Sequence, residues 1–150
     1  FRRVLFRSIM QKPLTLACAT ALVAACATEP QVTGPTANVV VRPASGSQVH
    51  GSVTFAGAGN TVRVSTELAA LPSGLVTLRI HEKGDCSAAD AASSGAFERE
   101  IGPLQADEYS KSTNSFTITG TSVSKSMGGL IGKGVIVQQG KDRIGCGSIE

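Results

Sequence analysis

From residue 38 onward, apolar and polar positions alternate in short runs separated by turn residues. Thr61-Val62-Arg63-Val64-Ser65 and Phe116-Thr117-Ile118-Thr119 alternate strictly, as expected for strands with one buried face. Runs rich in β-branched residues predict strands over 38–42, 48–56, 61–68, 74–82, 104–109, 115–119, 134–139 and 143–149. Gly57-Ala58-Gly59-Asn60 and Leu71-Pro72-Ser73-Gly74 supply turns between them. No helical stripe is present after residue 25. Eight short strands with spaced turns imply an all-β Greek-key sandwich or flattened barrel.

The N-terminal region follows a different pattern. Residues 1–9 precede Met10 and are read as an artefact of read-through. Met10 to Ala25 has Lys12 followed by the apolar run Leu14 to Ala25, which is the pattern of a secretory signal and too short to span a bilayer. Val23-Ala24-Ala25-Cys26 resembles the bacterial lipobox, in which cleavage before the cysteine leaves a thiol that receives lipid. The resemblance implies lipidation at Cys26, a membrane anchor, and a place in the bacterial cell envelope, periplasm-facing or on the outer membrane. An ordinary signal peptide with a chance cysteine is the alternative. Residues 26–37, rich in Pro, Thr, Gln and Gly, read as a linker, and residues 38–150 as one domain.

Removing the signal changes the charge. Arg2, Arg3 and Arg7 lie before Met10 and Lys12 lies within the signal, so with residues 1–25 removed the 14 basic residues less these four leave ten against 11 acidic ones. With 4% aromatics and no Trp, no basic and aromatic surface is left for nucleic acid. Of the four cysteines, Cys18 leaves with the signal and Cys26 is assigned to lipid. Cys86 and Cys146 remain as a pair in an oxidising setting, with two free thiols as the alternative.

Three segments carry a family likeness: His81-Glu82-Lys83-Gly84-Asp85-Cys86-Ser87, Leu130-Ile131-Gly132-Lys133 with Val135-Ile136-Val137, and Arg143-Ile144-Gly145-Cys146-Gly147. Together they resemble the copper/zinc superoxide dismutases. The resemblance covers roughly Asn38 to Ile149 and implies that family's barrel. It also implies a Cys86–Cys146 disulfide, copper and zinc as the family's metals, and Arg143 as the counterpart of its anion-guiding arginine. The family's four copper ligands fall at Arg79, His81, Ala96 and Gln138, so a single imidazole remains. The long loop carrying the zinc ligands has no counterpart, since Phe97 to Leu104 is expected to run straight into the next strand. Only Gln139 to Asp142 stands where the family has its electrostatic loop.

Each remaining candidate has a plain reading beside the functional one. His81 can bind metal alone or be a hydrogen-bonded core residue. Arg79 can hold an anion or place its own charge at the copper position against a carboxylate, since an unpaired buried guanidinium is costly. His50 is expected to face solvent. Gly128 to Gly134 lacks phosphate-loop spacing and the hydroxyl after Lys133. No catalytic triad is available from two histidines and two structural cysteines.

The reading is therefore a non-catalytic, superoxide dismutase-like envelope lipoprotein acting as a structural or binding module, with no cofactor expected. The alternative is a superoxide dismutase, converting superoxide to oxygen and hydrogen peroxide, or a metal-handling protein with an altered site. The membrane is the expected partner; a homodimer is left open, and the sequence names no protein partner.

Overall fold

The computed structural model describes residues 33–150. The signal segment, Cys26 and most of the linker lie outside the described residues. Eight strands follow one another: β1 Thr36–Pro43, β2 His50–Ala58, β3 Thr61–Ala69, β4 Val76–His81, β5 Phe97–Leu104, β6 Ser112–Thr119, β7 Gly134–Gln139 and β8 Asp142–Ser148. All pairings are antiparallel, in the order β5-β4-β7-β8-β1-β2-β3-β6. Strand β1 forms the corner, pairing with β2 over residues 36–41 and with β8 through Arg42 and Pro43. The result is a nearly closed Greek-key barrel, as the alternation pattern predicts.

Alternation places Val39, Val41, Val53, Phe55, Val62, Val64, Leu78, Ile80, Val135 and Val137 in one interior core. Close approach of β1 and β8 depends on Gly147, where an added Cβ would lie 2.4 Å from Val39 Cγ1. The sheet's two ends, β5 and β6, meet through side chains. Phe116 packs where a Cβ on Gly102 would come within 2.6 Å of its ring, and Arg99 Nη1 donates to the Thr119 carbonyl at 2.9 Å.

The fifth strand corrects the sequence expectation. It occupies 97–104 rather than 104–109, because a turn breaks the later segment and an edge position tolerates the charged earlier one. Asp107 accepts from the backbone N–H groups of Tyr109 (2.9 Å) and Lys111 (2.8 Å), which folds 107–111 into a turn. The charged run Glu98-Arg99-Glu100 is tolerated because β5 has a single strand neighbour, and charge and Pro103 suit an edge. Other strand ends differ from expectation by no more than three residues.

Outside the barrel, the connection from Glu82 to Ala96 lies over the outer face of β7 and β8. It carries one short 3₁₀ turn, Ala92–Ser94. A second, smaller apolar cluster of Ala44, Ala91, Ile136 and Cys146, with Cys86 packed against it, sits beneath.

Candidate functional site

Strand β4 turns Leu78 and Ile80 inward, which puts Arg79 and His81 on the opposite face. Register then decides their neighbours on the edge strand. Arg79 lies opposite Glu100 and His81 opposite Phe97, with β-bulges between Leu78 and Arg79 and between Ile80 and His81. The Arg79 guanidinium pairs with the Glu100 carboxylate at 3.1 Å and stands 5.2 Å from the Phe97 ring centroid. The same ring meets His81 edge-on, with centroids 6.1 Å apart.

His81 is buried, at 2% exposure. Its Nδ1 lies 3.1 Å from the Gly95 carbonyl oxygen, which can only accept, so Nδ1 carries the proton and Nε2 carries the lone pair. Among the described residues neither His81 Nε2 nor Arg79 Nε has a hydrogen-bond partner, and both atoms are buried. Burial, chiefly, holds the His81 pKa below its ordinary value; the Gly95 hydrogen bond pulls it up, and the charges of Arg143 and Arg79 push it further down.

That shift has a signed consequence. A histidine whose folded pKa is depressed stabilises the fold above its unfolded value near 6.5 and loses that contribution as pH falls through the folded value. Melting temperature should fall as pH is lowered from 7 through 6.5, and His81→Asn should flatten that segment of the profile. Identical profiles for the two proteins would contradict this protonation state.

Arg143 is committed to the overlying connection. Its Nη1 donates to the Ala91 carbonyl (2.8 Å) and to Ser94 Oγ (3.0 Å), and its Nη2 to the Gly95 carbonyl (3.4 Å). Gly95 thus receives both Arg143 and His81. The Cys86–Cys146 disulfide, with Cα atoms 5.8 Å apart, fastens the other end of the same connection to β8.

Ala96 is exposed and offers no donor atom; its backbone N–H lies 3.3 Å from the Glu82 carboxylate. Gln138 is half-buried on β7 opposite a bulge in β8 and donates from Nε2 to the Gly140 carbonyl at 2.8 Å. His50 is exposed, its ring against the Gln48 carbonyl. The structure therefore gathers Arg79 and His81 with Glu100 and Phe97, while Gln138 is spent on its own hairpin. Glu100 and Phe97 went unnoticed in the sequence because their roles depend on cross-strand register; Ser94 and Gly95 are positioned by the overlying connection.

No three His, Cys, Asp or Glu side chains come together as a metal-binding group among the described residues. The donor set does not fit a redox copper centre, which needs several neutral imidazoles: the four positions hold a guanidinium, one imidazole, a methyl group and a primary amide.

No family model matches the chain, and no curated protein does. Among solved structures, the crystal structure of the clock protein EA4 aligns with a TM-score of 0.65 at 23% identity. The match covers 78% of this chain and 94% of that one. The fold is superoxide dismutase-like. In this superoxide dismutase-like barrel the outer face of β4 and β7 carries the Arg79, His81 and Gln138 positions, and the disulfide lies on β8 beside it.

Proposed function

We propose that this chain is a degenerate member of the copper/zinc superoxide dismutase family, a non-catalytic envelope lipoprotein whose barrel serves as a structural or binding module. The observation that carries the reading is Arg79. Where the family's metal site needs a neutral donor, this chain has a permanently charged guanidinium, paired with Glu100 and stacked on Phe97. Arg143, the counterpart of the anion-guiding residue, is turned to backbone carbonyls instead. Both cations hold the connection and the edge strand in place, work that is independent of metal. The reading is tested by the metal content and chelator-sensitive dismutase activity of the native protein, for which we expect none.

The anchor is tested separately. Lipid on Cys26 places the mature protein in the detergent phase, and Cys26→Ser should leave it unprocessed or soluble. Equal partitioning of the two forms would remove the membrane from the account.

A further inference from the structure

We infer that Arg79 is an organic plug: its guanidinium keeps cations from the buried, unshared lone pair of His81 and from the Glu100 carboxylate, two latent metal donors that flank it. The inference rests on the loss of the metal site proposed above and adds what enforces it.

Two potential metal donors flank Arg79. His81 offers Nε2 with an unshared lone pair, buried and without a donor, because Nδ1 is committed to Gly95. Glu100 offers a carboxylate on the adjacent edge strand, and its Oε2 is taken by Arg79 Nη2 at 3.1 Å. Imidazole nitrogen and carboxylate oxygen are the donor types that divalent zinc and copper accept. Register puts Arg79 directly opposite Glu100 and two residues along β4 from His81, so a fixed positive charge adjoins both donors. Arg79 shares the outward face of β4 with His81, and both touch the Phe97 ring. The guanidinium therefore acts twice. It repels an incoming dication, and it occupies the carboxylate that would be the second ligand.

Neutralising residue 79 should uncover the pair. Full-chain protein carrying His50→Gln, so that His81 is the single histidine, is titrated with copper(II) ions and followed by calorimetry and electron paramagnetic resonance. Removing one positive charge a few ångströms from a dication should tighten binding by about 10-fold to 100-fold in Arg79→Gln, with nitrogen hyperfine coupling from the imidazole. Arg79→Lys, which keeps the charge, should stay at the wild-type level. If Arg79→Gln does not fold, Arg79→Met keeps the stem against Phe97 and carries the same expectation.

Three results would overturn the plug. One is an Arg79→Gln variant that binds no more tightly than the parent; the proposed metal loss then still stands. Another is a gain that survives His81→Asn added to the same variant. The third is a parent protein that already binds copper through His81, which would overturn the plug and the metal-loss reading together.

Discussion

Reducing the Cys86–Cys146 disulfide is expected to lower the melting temperature by roughly 10 to 20 °C, taking a few degrees per kcal/mol for a domain of this size. The bond spans 60 residues of sequence, and closing a loop of that size in the unfolded chain is worth about 4 kcal/mol in the chain-entropy model. Typical domains have only about 5 to 15 kcal/mol in total. The native state also has something to lose. Cys86 and Cys146 pack with Ile136, Ala91 and Ala44 in the small cluster beneath the connection, so the freed strap uncovers apolar surface. Arg143 would still hold the far end through Ala91, Ser94 and Gly95, so partial loosening rather than collapse of the barrel is the expected outcome. Thermal melts with and without reductant, repeated on Cys86→Ala/Cys146→Ala, measure the effect. Two alkylatable thiols in folded, unreduced protein would contradict it.

Restoring Arg79→His, Ala96→His and Gln138→His should create detectable copper binding and poor dismutation. With His81 these changes place imidazoles at all four positions that the superoxide dismutase resemblance assigns to copper, and the first of them also releases Glu100. The surroundings remain wrong for catalysis. Residue 96 is exposed at the end of a connection held by Glu82, and residue 138 sits opposite a bulge in β8, facing its own hairpin turn. Lost support around ligands typically costs about 10-fold to 100-fold in affinity or activity, and lost electrostatic steering about 10-fold or more in association rate. The variant should therefore reach at most about a hundredth of a family enzyme's rate on these grounds. Copper titration followed by a dismutase assay checks both halves; a variant of full family activity would show that ligands alone had been missing.

Local pattern was sufficient for much of this fold. Strands β2, β3 and β7 announce themselves through alternation or β-branched runs, and their observed bounds lie close to the expected ones. Strand β5 does not, because Glu98-Arg99-Glu100 looks like a solvated turn until its place at the sheet edge is known. At the candidate site, residues 79, 81, 96 and 138 were singled out by the family resemblance alone. The partners were not. Glu100 meets Arg79, and Phe97 meets His81, only because two bulges set the β4 to β5 register. Arg143 reaches Ala91 across a sequence separation of 52 residues, a contact that no local pattern encodes. Arg79 shows the difference most clearly: its residue type forecasts a need for a carboxylate, and the edge strand determines which one answers.

The central claim is that this superoxide dismutase-like barrel holds no catalytic metal. The most direct test is to purify the full chain from cells supplied with copper and zinc, measure both metals per chain, and assay superoxide dismutation before and after chelation. The account predicts copper and zinc far below stoichiometric levels and a dismutation rate that chelator leaves unchanged at background. Stoichiometric copper together with chelator-sensitive activity approaching that of a family enzyme would contradict it.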